Sequence, residues 1–225
     1  MLVLAFMIPM TAFQRSRFKA TAFLLIFLPS LAVAEHLPLK TYTVAEGLAH
    51  NEINKIVRDS RGFLWFCTAE GLSRFDGYGF TNYGIDQGLP HHNVTDFLET
   101  RSGEFWVGTQ AGLVRFDPRG KPANRVIEAN ETNRQISPMF SVVLPHDEDR
   151  QAKAVNVLLE SRDGTIWCGT IKHLYRLERS DGRFELVQTE LGNSTTYPKG
   201  IHILDLLEDR GGSLWVASFG WLCRR

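Results

Sequence analysis

The chain has 225 residues, 44% of them apolar, and its 25 basic side chains balance its 25 acidic ones. Arg15, Arg17 and Lys19 lie in residues 1–34 with no acid beside them, which leaves 22 basic against 25 acidic side chains from Glu35 onward. That balance gives no net attraction for nucleic acid, which is therefore not expected as a partner on charge alone. Three cysteines, an odd number set inside or beside apolar runs, do not make a disulfide framework and read as small buried hydrophobes.

Residues 1–34 read as a targeting segment. The basic patch QRSRFK is followed by an apolar run over 20–28, by Pro29-Ser30, and by the small-residue site Ala32-Val33-Ala34. A signal peptide over 1–34 is expected, with propeller-type repeats (argued below) filling 35–225. The apolar block over 1–10 ahead of the patch leaves two alternatives open, a start at Met10 or an uncleaved N-terminal anchor. Either way the remainder is expected in the periplasm or on the extracellular side of the membrane. No later stretch is apolar for 18 residues, so no second membrane span is expected.

The rest of the chain repeats one sentence four times. A glycine stands three residues before a tryptophan at Gly62 and Trp65, Gly103 and Trp106, Gly164 and Trp167, and Gly212 and Trp215. Threonine or serine follows three residues later (Thr68, Thr109, Thr170, Ser218), leucine seven later (Leu72, Leu113, Leu174, Leu222) and arginine nine later (Arg74, Arg115, Arg176, Arg224). A unit of about forty residues holding several short strands separated by turns is the mark of a radial repeat, a β-propeller of four-stranded blades. The expected fold is all-β.

Taken in order, 39–43 matches the outer strand of a unit and is expected to precede the first complete blade as an extra strand. The first unit is expected to have strands near 53–57, 63–68, 72–75 and 80–83, with turns at Asp59-Ser60-Arg61-Gly62 and Asp76-Gly77. The second unit runs from His92 to Asp117, after which the pattern weakens. An outer strand is expected at 125–128, with a second short strand at 140–144. The third unit has strands at 155–159, 165–170, 173–177 and 184–187. His173 stands where Gly71 and Gly112 stand, so its backbone is expected not to need a positive φ. The fourth unit has strands at 201–207 and 213–218 and a third beginning at Leu222. Four units leave an apolar terminal face without a neighbour unless 39–43 completes the last blade of a closed four-bladed ring; the front part of a longer propeller is the preferred expectation.

With Gly47-Leu48 and Gly88-Leu89-Pro90, the strand starts Ile53 and Asn93-Val94, DSRGFLWFCT over 59–68 and GLSRFDG over 71–77, the chain resembles the two-component regulator propeller family. The resemblance covers about residues 38–225. It implies part of a seven-bladed propeller in the extracytoplasmic sensor region of a hybrid histidine kinase, a diguanylate cyclase or a related regulator. It also implies downstream signalling domains in full-length relatives, dimerisation through regions missing here, and a small-molecule or saccharide ligand.

No constellation for catalysis emerges. His36, His50, His91, His92, His146, His173 and His202 show no zinc-site spacing with cysteines or carboxylates, and neither a phosphate loop nor a nucleophile elbow is present. No catalytic, cofactor-binding or metal residue is assigned, and no cofactor is expected. Glu99, Glu160 and Glu208, each seven residues before a tryptophan, and Asp59 and Asp209, six before, read as turn caps and surface pairs. Arg74, Arg115, Arg176 and Arg224 are expected to pair with turn carboxylates such as Asp76, Asp117 and Glu178. The leading reading is a ligand-sensing propeller segment of a signal-transduction regulator without catalysis. The alternatives are a freestanding secreted propeller serving as an interaction scaffold and, behind it, an enzyme working at a central cleft.

Overall fold

The tight turns come first, because they set where each strand stops. Gly62, Gly103, Gly164 and Gly212 all adopt φ between 81° and 92°, a left-handed conformation that a side chain would strain. Each closes a four-residue turn whose amide bonds back to the first residue, as Gly62 N does to Asp59 O at 3.0 Å. At the other end of the second strand a threonine closes the next turn. Its hydroxyl donates to the carbonyl three residues on, from Thr68 to Gly71, Thr109 to Gly112 and Thr170 to His173, at 2.8–2.9 Å. His173 does this without a positive φ.

A computed structural model describes residues 39–122, 137–191 and 202–225. Residues 1–34, expected as a targeting segment, lie outside them. Residues 41–225 form one unit of four antiparallel sheets. Blade 1 is β1 (Ile53–Arg58), β2 (Leu64–Thr68), β3 (Gly71–Phe75) and β4 (Phe80–Tyr83). Blade 2 is β5 (Val94–Glu99), β6 (Phe105–Thr109), β7 (Gly112–Phe116) and β8 (Phe140–Val143). After one helical turn, α1 (Arg150–Lys153), blade 3 is β9 (Val155–Glu160), β10 (Ile166–Thr170), β11 (Leu174–Ser180) and β12 (Arg183–Thr189). Blade 4 has three strands, β13 (Ile203–Glu208), β14 (Leu214–Ser218) and β15 (Trp221–Arg224).

Two expectations change. The outer strand of blade 2 is β8, which pairs Phe116 with Phe140 just as β3 and β4 pair Phe75 with Phe80. The expected strand at 125–128 lies outside the described residues. Residues 39–43 form no strand. Thr43 caps a turn of 3-10 helix, Val44–Glu46, and the Tyr42 ring packs edge-on against Phe75 and Phe80 of blade 1.

The core is three apolar slabs, one between each pair of neighbouring blades. Trp65 and Leu72 of blade 1 meet Phe97, Phe105 and Phe116 of blade 2; Trp106 and Leu113 meet Leu158, Ile166 and Tyr175 of blade 3; Trp167 and Leu174 meet Leu206, Leu214 and Val216 of blade 4. Each tryptophan therefore belongs to the blade behind a joint and fills the blade in front of it. Cys67, Cys168 and Cys223 are free and buried, and burial pushes the Cys67 and Cys168 thiols up, which keeps them in the unreactive form.

Polar ties rim each slab. Every inner strand has a bulge, and in blades 1 to 3 the extra residue turns its side chain to the next blade: Asn54 donates to Val94 O at 2.7 Å, Thr95 to Val155 O at 2.7 Å and Asn156 to Ile203 O at 3.0 Å. At the opposite end of the inner strand the recurring glutamate reaches back. Glu99 accepts from the backbone N–H and hydroxyl of Ser60, Glu160 from Arg101 N at 2.8 Å, and Glu208 from Arg162 N at 2.7 Å. Arg101 and Arg162 return the contact through their guanidinium groups, to their glutamates at 3.3 Å and to carbonyl oxygens of the next turn. These glutamates join blades rather than cap their own turns.

Candidate functional site

In an antiparallel sheet the start of the inner strand lies beside the end of the second strand, as Ile53 lies beside Thr68 and Val94 beside Thr109. The loops that lead into each inner strand therefore gather with the turns joining second and third strands at one end of all four blades, here called the upper end. His50, His91, His92, His173 and His202 all stand there, although the sequence scatters them over more than 150 residues. His146 is exposed between β8 and α1, and His36 lies outside the described residues.

His91 is the most constrained of them. Its Nδ1 accepts the Asn93 N–H at 3.0 Å, as His50 Nδ1 accepts the Glu52 N–H, and its ring lies 4.4 Å from that of His92. Burial and the neighbouring His92 hold its pKa below the ordinary histidine value. His91 is thus neutral at pH 7 and carries its proton on Nε2, a donor. His202 packs edge-on against Phe219.

Between blades 2 and 3 the upper end opens into a groove of about 550 Å³ lined by His91, Gln110, Arg150, Gln151, Lys153 and Ile171 among others. Asp149 caps α1 by accepting from Gln151 N at 2.9 Å. Lys172, in the turn between β10 and β11, clamps the approach to α1 with its ammonium 2.9 Å from Asp147 and 3.0 Å from Asp149. The Asp149 N–H and Lys172 hold the Asp147 carboxyl down at about 2. His173 lies 3.5 Å from Asp147, yet burial and Lys172 hold its pKa below the ordinary value. The clamp satisfies itself, whereas among the described residues no carboxylate pairs with Arg150 or Lys153. The groove accordingly presents guanidinium, ammonium and amide donors, with the His91 imidazole near the Glu70 carboxylate.

A second groove, of about 420 Å³, lies at the lower end and is lined by Arg61, Glu99, Glu104, Arg115 and Asp117 among others. Most of its charges are already engaged, Arg115 with Glu104 at 2.8 Å, Arg61 with Asp59 at 3.2 Å, and Glu99 with Ser60, while no carboxylate pairs with the Arg119 guanidinium among the described residues. Of the expected arginine pairs, Arg176 meets Glu178, while Arg74 lies over the Phe63 ring instead of pairing with Asp76, and Arg115 takes Glu104 rather than Asp117. Among the described residues no cluster of three or more histidine, cysteine, aspartate or glutamate side chains is placed to hold a metal. No described helix is long and apolar enough to cross a membrane.

The model of the two-component regulator propeller matches residues 47–70 and 88–111, the loops, inner strands and tryptophan strands of blades 1 and 2. Among solved structures, the chain is similar to the extracellular domain of a hybrid two-component system of B. thetaiotaomicron, at 25% identity and TM-score 0.60 over 81% of this chain and 24% of that one. A second such domain from the same organism matches at 18% identity and TM-score 0.57, over 80% and 24%. Virginiamycin B lyase of Staphylococcus aureus shares the fold at 16% identity and TM-score 0.53, over 77% and 55%. The chain spans about a quarter of the length of the two-component domains. No curated protein matches it. The extracellular placement of these propellers agrees with the location expected from the N-terminal segment.

The sequence named the histidines but not Arg150 and Lys153, which complete the groove. They sit in the insertion ahead of blade 3, where no other copy has a counterpart, and disagreement between copies was the signal that could have found them.

Proposed function

We propose that the chain is a ligand-sensing segment of an extracytoplasmic propeller that serves a signal-transduction regulator, with the groove between blades 2 and 3 as its ligand site. The observation that carries the reading is the pair of regulator repeats in blades 1 and 2, supported by the similarity to extracellular domains of hybrid two-component systems. In a full-length protein the output would come from signalling modules downstream of the propeller. Binding would favour one arrangement of the receptor, dimeric through regions beyond this chain, and pass that bias across the membrane.

The donors of the groove select the ligand class. Arg150 and Lys153 favour a carboxylate or sulfate, and Gln110, Gln151 and neutral His91 suit hydroxyl groups, so an acidic saccharide fits better than a neutral one. Of the carboxylates near the groove, Asp147 and Asp149 are held by Lys172. Calorimetric titration of the full chain with an oligogalacturonate and with a neutral oligosaccharide of equal length tests this. Binding of the acidic ligand, weakened about tenfold or more by Arg150→Glu with Lys153→Glu, is the expected result. Equal binding of both ligands, or binding indifferent to the two substitutions, would remove the groove from the reading.

A further inference from the structure

Two histidines hold the loops that lead into blades 1 and 2 by the same bond. His50 Nδ1 accepts the Glu52 N–H and His91 Nδ1 accepts the Asn93 N–H, each at 3.0 Å. A ring nitrogen that accepts a hydrogen bond carries no proton, so each imidazole is held in the neutral form with its proton on Nε2. A proton added to Nδ1 would set two N–H groups against each other and break the bond. The two copies differ in their surroundings. His50 is followed by Asn51 and does not line the groove between blades 2 and 3, whereas His91 lines it and is followed by His92, whose ring lies 4.4 Å away.

The charges that face His91 decide when that bond gives way. Its own loop brings His92, the turn between β2 and β3 brings Glu70, and α1 brings Arg150 and Lys153 as lining residues of the same groove. In the free protein burial and then His92 disfavour the imidazolium, with Glu70 pulling the other way. An acidic ligand reverses the balance. Its carboxylates, received by Arg150 and Lys153, place negative charge in the groove that His91 lines, and a negative charge beside an imidazole favours its protonated form. Once protonated, the ring donates from both nitrogens. The start of β5 is held without it, because Asn93 Oδ1 accepts from Asn54 Nδ2 at 2.9 Å and Asn93 O accepts the Gln110 N–H at 3.3 Å.

We infer that the groove takes up a proton together with its acidic ligand, and that His91 Nδ1 receives it: the Asn93 N–H is released, an Nδ1–H bond forms with a proton from solvent, and the imidazolium turns to the anion as a third cation alongside Arg150 and Lys153. This coupling rests on the acidic-ligand reading of the groove and adds regulation to it. Linkage is reciprocal, so a ligand that promotes protonation is itself bound more tightly by the protonated site. The gain is fully developed below the His91 pKa of the free protein and is lost as the pH rises through the higher pKa of the complex. His50 has the same bond without the groove and serves as an internal reference.

The test is calorimetric titration of the full chain with an oligogalacturonate at pH 7.5, 6.5 and 5.5, each in two buffers of different ionisation heat so that proton uptake is counted. The ligand's carboxylates, with an ordinary pKa near about 4, stay ionised over this range. Affinity should rise about three- to tenfold from pH 7.5 to pH 5.5, with up to about one proton taken up per ligand bound. His91→Asn keeps the loop bond, since an asparagine side chain accepts the N–H two residues on, but has nothing to titrate, and its affinity should be level across the range. Nitrogen NMR of the imidazole rings at pH 6.5 should show His91 Nδ1 gaining a proton when the ligand is added, while the His50 signals stay in place. Binding that depends on Arg150 and Lys153 yet is the same at all three pH values, or a pH dependence that survives in His91→Asn, would overturn the proton coupling and leave the acidic-ligand reading standing. Absence of binding at every pH, or binding indifferent to Arg150→Glu with Lys153→Glu, would overturn both.

Discussion

Blades 2 and 4 carry the same sentence, yet Trp106 has no exposed surface and Trp215 is partly exposed. Their place in the motif does not separate them, since both follow a Gly turn at three residues and both lie on the second strand of a blade. The difference is the neighbour. Trp106 is covered by Leu158, Ile166 and Tyr175 of blade 3, whereas the described residues supply no further blade beyond Trp215. In a radial repeat the sequence specifies one half of a joint, and the energy of that half is realised when the other half is present. The comparison makes its largest prediction here. Trp106→Ala should cost about 3 to 5 kcal/mol, and Trp215→Ala less than half of that, read as urea midpoints of the two variants. Equal losses would mean that the tryptophan acts within its own blade.

The backbone makes the same contrast on a smaller scale. Two residues after the tryptophan stand Gly108 and Gly169 in blades 2 and 3, and Ala217 in blade 4. A Cβ on Gly169 would lie 2.6 Å from Ile203 Cγ2 of blade 4 and 2.7 Å from Val157 Cγ1; one on Gly108 would lie 2.8 Å from Val155 Cγ1 of blade 3. The inner strands approach too closely there for a methyl group. Gly169→Ala is expected to cost about 1 to 3 kcal/mol by overpacking, while Ala217→Gly should cost no more than the roughly 0.5 to 1 kcal/mol of added chain entropy. Matching losses at the two positions would contradict the close approach of β9 and β13.

What the sequence made legible follows from the same logic. Interactions within a blade recur at fixed short separations, so the turns, the second and third strands and the threonine latches could all be read from the repeat. The partners of Glu99, Glu160 and Glu208 could not, because each lies about forty to sixty residues away in the blade behind, and recurrence shows that a residue matters without showing what it touches. The strand expected at 140–144 is present as β8, but as the partner of β7 rather than as a second short strand, and the insertion between them hid that pairing. The signal present was aromatic: Phe116 needs a ring opposite it, and Phe140 stacks on it at 4.9 Å. Residues 39–43 copy an outer strand in sequence, yet Tyr42 finds Phe75 and Phe80 within reach and packs there as a plug. In the groove, Arg150 and Lys153 had no counterpart to be aligned with.

The smallest contrast lies in the turns of blades 1 and 2 and is resolved by pH. Asp59 is buried and accepts the Trp65 indole N–H at 3.0 Å, the Phe63 N–H at 2.9 Å and the Arg61 N–H at 3.0 Å. Burial alone would raise its pKa, but the bonds from Trp65, Phe63 and Arg61 outweigh burial and hold it below the ordinary aspartate value. Blade 2 has Thr100 instead, and the Trp106 indole N–H is left buried without a partner. Asp59→Thr copies the blade 2 turn into blade 1. A group depressed in the folded state stabilises fully above its unfolded pKa, near 3.9, and loses that contribution as the pH falls through the folded pKa. At pH 7 the variant should therefore be about 1 to 2 kcal/mol less stable than the wild type, and the gap should narrow below about pH 4 as Asp59 takes up its proton. Asp209, which bonds Trp215 in the same manner at 2.9 Å, remains in both proteins and cancels from the difference. Urea midpoints at pH 7, 5, 4 and 3 measure the gap, and a gap that stays constant down to pH 3 would show that shape rather than charge makes the Asp59 turn the stronger one.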